Sequence, residues 1–235
     1  MSFLQLLLVA VIFEFTLSAC KNSSNSLDTA EKVISPDSPG TKTNIEKKCG
    51  ENFDARSIPD LQVNFSDSFV SRTIQFELDI PADKVTSSIQ ATPLEKFLPE
   101  TAKVPGVRGT KLLIGSEFGP EGSRRLVCLT DYSYASEEVI ENVSEREFKY
   151  KVWNYTSNVA RPIEYAIGEF KAIPLSQAKS QVTWTYSFKL KDNEFPGYLA
   201  APGRFLFKKS FVDSDYADFM TSAANAMKSN LVIPK

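Results

Sequence analysis

Apolar and polar residues alternate along 69–80, FVSRTIQFELDI: Thr73, Gln75, Glu77 and Asp79 share one side, Ile74, Phe76, Leu78 and Ile80 the other. A period of two predicts a strand with one wet face. The period changes in PADKVTSSIQATPLEKFLPE. Pro81 suits a first helical turn, Asp83 lies near its positive end, and Val85 and Ile89 recur four residues apart. Pro93 closes that helix and opens a second short one, LEKFL, which Pro99 stops. From Gly106 come five strand-like runs, GVRGTKLLIGSEF, SRRLVCLTDY, EEVIENVSE, EFKYKVWNYT and PIEYAIGEFKAI, most of them separated by Gly or polar clusters such as GPEGS and TSNVAR. The last strand, QVTWTYSFKL, alternates most sharply: Val182, Trp184, Tyr186, Phe188 and Leu190 face one way, Thr183, Thr185, Ser187 and Lys189 the other. After the bend FPGYLAAPG, residues 204–231 take a helical period, with Val212, Tyr216, Phe219, Met220, Ala223, Met227 and Leu231 at three- and four-residue steps.

A sheet with one apolar face must be covered by another layer, and the C-terminal helix is the element long enough to do it. The pattern therefore predicts an α+β fold. A strongly curved antiparallel sheet of about seven strands wraps around a long C-terminal helix, two short helices follow the first strand, and a space remains between sheet and helix.

The first fifty residues follow a different pattern. Residues 3–13, FLQLLLVAVIF, are apolar except for Gln5, too short a run for a membrane-crossing helix of about 20 residues but suited to the hydrophobic region of a secretory signal. Leu17-Ser18-Ala19-Cys20 resembles the bacterial lipobox, after which cleavage leaves a lipidated cysteine as the first residue. Residues 21–52 contain no aromatic and are dominated by Ser, Asn, Thr, Pro, Lys and acids, so they cannot bury enough apolar surface to offset their ordering entropy. The expected organisation is a lipoprotein signal peptide over 1–19, lipidated Cys20 with a disordered tether over 20–52, and one folded domain over 53–235. Several acyl chains, at about 0.8 kcal/mol per buried CH2, would hold the chain on a membrane. The expected location is the bacterial cell envelope, periplasm-facing or extracellular. Lys21 after the cysteine tips the balance towards the outer membrane.

Composition narrows the chemistry. The chain has no histidine, which excludes Ser-His-Asp and Cys-His catalysis, histidine general bases and most catalytic zinc sites. No GxGxxG, GxxxxGK[ST] or CxxC pattern occurs, so no cofactor or metal is expected. Lys and Arg total 27 against 29 acids, and nothing in that balance calls for nucleic acid. Besides Cys20, the cysteines are Cys49 and Cys128. In an oxidising envelope they form a disulfide or remain as two thiols, one buried in a strand-like run and one at the end of the tether.

The order of elements and three of the stretches above are similar to the SRPBCC superfamily, which includes START-related, birch-pollen-allergen-like and polyketide cyclase/dehydrase-like proteins. FELDIPADKVTSSI resembles its first strand and following helix. FKYKVWNYTSNVARPIEYAIGEFKAIP resembles its tyrosine-bearing strand, turn and return strand, and SQVTWTYSFKL its Trp-bearing strand. The likeness spans about residues 70–231; residues 53–69 fall outside it. It implies a helix-grip fold with a deep, mostly apolar cavity for hydrophobic ligands. On strand parity, Tyr150, Val152, Tyr165, Ile167, Trp184, Tyr186 and Phe188 should face that cavity, opposite Phe219, Ala223 and Met227 of the helix. Aromatics with polar tips suit a pocket that holds an apolar molecule and orients one polar group; each of these residues can equally fill a solid core.

Three functions follow. The first is a membrane-anchored, non-catalytic binder or carrier of a lipid or other hydrophobic small molecule. The second is a cyclase- or aromatase-like enzyme, with Glu117, Glu164, Glu169, Tyr150, Tyr165 and Tyr186 as candidates for proton transfer. The third is a scaffold for another envelope protein. The absence of a catalytic constellation favours the first.

Overall fold

The computed structural model describes residues 49–51, 53, 54 and 57–234. The expected signal peptide, Cys20 and most of the tether lie outside the described residues. Seven antiparallel strands form one sheet: β1 (Phe69–Leu78), β2 (Val107–Ile114), β3 (Arg124–Leu129), β4 (Tyr134–Ser144), β5 (Glu147–Trp153), β6 (Ile163–Pro174) and β7 (Ser180–Leu190). β2 to β7 make a meander, and β1 returns to pair with β7, giving the order β1-β7-β6-β5-β4-β3-β2. Between β1 and β2 lie a helical turn at Ala82–Lys84 that follows Pro81 and leads into helix α1 (Val85–Ala91), and a second turn at Leu94–Lys96 that follows Pro93.

Parity along β1 and β7 follows the alternation of their residues. The register sets Ile74 beside Trp184 and Val70 beside Phe188 on the inner face. On the outer face, Ser71 and Ser187 share a 2.8 Å hydrogen bond, and Thr73 and Thr185 one of 2.9 Å. A ladder of hydroxyls on the wet side and aromatics on the dry side leaves no ambiguity of register, because a one-residue slip would reverse every side chain.

The helical stretch expected as continuous over 204–231 is broken. Helix α2 (Ala200–Phe207) runs into a wide turn at Lys208–Val212, and α3 (Asp215–Asn230) starts afresh. The Asp213 N–H donates to the carbonyl of Lys208, five residues back, at 2.8 Å. Ser214 leaves helical geometry, and its hydroxyl donates to the Ser210 carbonyl. Asp and Ser compete locally for backbone groups and so favour such a break. The Asp213 carboxylate meets Lys208 at 3.1 Å, Lys209 at 3.6 Å and Arg72 of β1 at 3.5 Å. The break lets Phe207, Phe211 and Tyr216 all turn towards Phe188 of β7. The helix-grip architecture stands, with its grip supplied by two helical segments.

Part of the outer face of the sheet, around the ends of β5 and β6, is covered as well. Ile58 is buried there with Trp153, Tyr165 and Ile167, and Phe53, Leu61 and Val63 pack against them. Trp153 Nε1–H donates to the Pro59 carbonyl at 2.9 Å, and Lys151 Nζ donates to that of Leu61 at 2.7 Å. A disulfide joins Cys49 to Cys128 of β3, and Lys111 Nζ donates to the Gly50 carbonyl. The stretch before β1, outside the family likeness, is thus a strap across the sheet's back.

Candidate ligand cavity

The inner faces of the strands, the stretch from α1 to Pro105, the turn at Lys208–Val212 and α3 border a cavity of about 140 Å³. Its walls come from Phe148, Tyr150 and Val152 of β5, Phe170 of β6, Trp184, Tyr186 and Phe188 of β7, and Phe211, Tyr216, Phe219 and Met227 across from them. Residues of β2, β3 and β7 reach the same space, so the sheet is concave towards it. The aromatic wall is ordered: Phe170 stacks on Phe148 at 5.4 Å and on Trp184 at 5.0 Å, and Tyr216 meets Tyr186 at 5.2 Å.

One glycine makes that wall possible. Tyr150, Gly168 and Tyr186 are register partners across three strands. A Cβ on residue 168 would lie 2.1 Å from Tyr150 Cζ, so the phenol ring lies flat across β6 where any other residue would displace it.

The cavity also has polar groups. Arg125 and Glu137, register partners on β3 and β4, form an ion pair at 2.6 Å with both side chains buried. The Arg125 guanidinium stacks over the Phe118 ring at 3.6 Å, and these two residues with Gln90 also border a surface groove outside. Burial pushes the hydroxyls of Tyr150, Tyr155, Tyr186 and Tyr216 above the ordinary phenol value of 10.0; for Tyr150 the negative charge of Glu137 adds to the effect. All four stay protonated at neutral pH. The neighbouring Trp184 offsets part of that rise at Tyr150, and Tyr186 part of it at Tyr155. Neither Trp184 Nε1 nor Tyr155 Oη completes a hydrogen bond among the described residues.

Of the residues expected at the cavity from sequence, Tyr150, Val152, Trp184, Tyr186, Phe188, Phe219 and Met227 line it. Three do not. Tyr165 and Ile167 point to the opposite face, into the cluster under the strap. The pairing of Val152 with Ala166 and of Tyr150 with Gly168 assigns the even positions of β6 from Ala166 onward to the interior, beyond the register shift between Ile163 and Tyr165. The expectation placed the larger residues inside, whereas the interior needs Gly168 small. Ala223 is fully buried, 0 % exposed, in the packed core away from the cavity wall.

The carboxylates considered for proton transfer are elsewhere too. Glu164 and Glu169 point outward, Glu164 towards Lys189 at 3.7 Å and Glu169 towards Lys149 and Lys171 at 3.4 and 3.2 Å. Glu117 lines the surface groove outside the cavity. Sequence reasoning missed Arg125, Glu137, Tyr155 and Tyr216. A signal for the first two existed in the doubled charges Arg124-Arg125 and Glu137-Glu138. Neighbours in a strand face opposite ways, so pairing these two strands puts one ion pair on each face. Arg124 and Glu138 form the outer pair.

The chain matches no protein-family model and no curated protein. Solved structures similar to it in fold include major latex-like protein 151 from Panax ginseng, at 16% identity and TM-score 0.47 over 68% of this chain and 96% of that one. A START superfamily protein from Mycobacterium smegmatis aligns at 11% identity and TM-score 0.48, over 68% and 95% of the two chains. Norcoclaurine synthase from Thalictrum, in complex with a transition-state analogue, aligns at 15% identity and TM-score 0.44, over 68% and 96%. Each is a likeness of fold.

Proposed function

We propose that this chain is a lipid-anchored envelope protein whose cavity binds a small hydrophobic molecule. One observation carries the binding half: an apolar, aromatic-walled space inside an otherwise packed domain, with three buried polar groups, on Gln90, Tyr155 and Trp184, left unpaired among the described residues of its wall. Buried polar groups in native proteins nearly always have partners, so such exceptions call for one, supplied by water or by a bound molecule. Volume bounds the occupant. An engineered apolar cavity of about 150 Å³ takes up benzene, whereas pockets for larger ligands run to about 300–1,000 Å³. At about 140 Å³ the space suits a molecule of roughly one ring, and a full lipid would have to open it.

Support for the proton-transfer reading is thinner. Glu117, Glu164 and Glu169 lie outside the cavity, and the carboxylate that does line it, Glu137, is held by Arg125. Organic extraction of the purified protein followed by mass spectrometry should release a small apolar compound at about one per chain. A protein that yields none and takes up none when offered aromatic solvents would be a scaffold.

The anchoring half rests on the stop at Cys20 after an apolar run too short to span. The domain's surface is compatible with it: Phe195, Tyr198, Leu199, Phe205 and Leu206 are exposed, and Arg204 is the one charged residue between 195 and 207. Aromatics, leucines and a cation are what the headgroup region accommodates. Cys20→Ser should move the protein from the membrane to the soluble fraction. If that variant stays membrane-bound after carbonate washing, the lipid anchor is wrong.

A further inference from the structure

Resting on the cavity reading, we infer that the ligand is a neutral, ring-sized molecule bearing a carbonyl-type acceptor, held by the indole N–H of Trp184. The inference comes from sorting the cavity's polar atoms into donors and acceptors. Trp184 is 2 % exposed, and its Nε1–H is a donor with no acceptor capacity. It has no partner among the described residues. The hydroxyl of Tyr155 and the side-chain amide of Gln90, likewise unpartnered, supply further protons to share. The strong acceptor in the wall, the Glu137 carboxylate, already receives Arg125 Nε–H at 2.6 Å. The phenol oxygens of the wall can accept as well as donate, but none completes a hydrogen bond with the Trp184 N–H, so a ligand that brings an acceptor in line with that N–H satisfies it.

Charge and size narrow the class. A carboxylate ligand would have to leave water for an apolar space in which Arg125 is already neutralised by Glu137, at a desolvation cost that no free cation in the wall offsets. A neutral ketone, aldehyde, ester or quinone carbonyl loses far less hydration and satisfies the indole. Phe170 stacks on Trp184 at 5.0 Å and fixes the plane of the indole, so the donor is held in one direction before the ligand arrives. A pre-oriented donor selects ligands by acceptor position as well as by size.

Three probes of one shape separate the possibilities: acetophenone, ethylbenzene and benzoate, titrated into the full chain by calorimetry. In a cavity with silent donors, ethylbenzene wins clearly, because its surface is the more apolar. The expected result is that acetophenone binds at least as tightly as ethylbenzene and that benzoate is not taken up. In Trp184→Phe, the ratio of acetophenone to ethylbenzene affinity should fall about tenfold, the usual scale for leaving one buried hydrogen bond unmade. A variant that fails to fold leaves a second measurement on the unmodified protein: the infrared carbonyl stretch of bound acetophenone should shift to the lower frequency of a hydrogen-bonded ketone. Ethylbenzene binding with acetophenone at least tenfold weaker, or with a carbonyl stretch matching that in hydrocarbon, would overturn this inference while leaving the cavity reading intact. Failure of the unmodified protein to take up either neutral probe would overturn both.

Discussion

Trp153→Ala should cost the domain about 3–5 kcal/mol of unfolding free energy, the usual penalty for deleting a buried tryptophan. It should also release the strap from the back of the sheet. Trp153 is 2 % exposed at the end of β5 and is the largest side chain between sheet and strap. Its N–H holds the Pro59 carbonyl. Arg124 and Lys151 lie over its ring at 5.0 and 4.9 Å, in geometry that favours a cation on an aromatic face. Both cations also bind Glu138, Lys151 at 3.0 Å, and Arg124 reaches Asp60 of the strap at 3.2 Å. Loss of the indole therefore removes a hydrogen bond, an apolar contact and the floor beneath a charge network whose members are mostly buried. A network left half-supported costs more than the same charges in water. Hydrogen exchange on the variant should show faster exchange over residues 57–67 and at Tyr165, with protection retained along β1 and β7. Uniform loss of protection would mean that strap and sheet unfold as one unit; unchanged exchange in the strap would mean that the disulfide and the remaining contacts hold it alone.

The same strap explains which parts of the fold were legible in the sequence. β1 and β7 were, because one face of that pair is truly wet: Thr183, Thr185 and Ser187 pair with Gln75, Thr73 and Ser71, and alternation reports burial only where burial is one-sided. β6 was not. Both of its faces are covered from Tyr165 to Gly168, so a run such as IEYAIGEF has no dry side to announce. Residue size then pointed the wrong way, since the interior position opposite Tyr150 is a glycine whose emptiness the ring occupies. Trp153 was hidden for the same reason, one residue past the inward-facing Val152. The strap itself has the composition of a loop and makes its contacts side chain to backbone across about ninety residues, a separation that no local period encodes. The inner ion pair was legible in principle from the doubled charges in β3 and β4, because neighbours on a strand face opposite ways. The break at Asp213-Ser214 likewise showed in residue type and was outweighed by the apolar period on either side of it.

Ala135→Leu and Ala223→Leu should have opposite effects, and the contrast tests whether the cavity is a binding site. Both alanines are almost wholly buried, at 3 and 0 % exposure, and both substitutions put an isobutyl group in place of a methyl. Ala135 lies on the inner face of β4 and lines the cavity. Its leucine can grow into free space, gaining apolar burial without displacing a neighbour. Ala223 lies on α3 within the packed core, off the cavity wall, where a larger side chain forces neighbouring groups off their rotamers at about 1–3 kcal/mol. Ala223→Leu should therefore unfold at clearly lower denaturant while binding ethylbenzene with nearly wild-type affinity. Ala135→Leu should unfold within about 1 kcal/mol of wild type and lose most of its ethylbenzene binding, because the added group fills the space the solvent would take. Denaturant midpoints and calorimetric titration of the two variants give all four values. If Ala135→Leu were as destabilising as Ala223→Leu and still bound ethylbenzene like wild type, the ligand would have to sit elsewhere, and the space behind Trp184 would be no more than a packing defect.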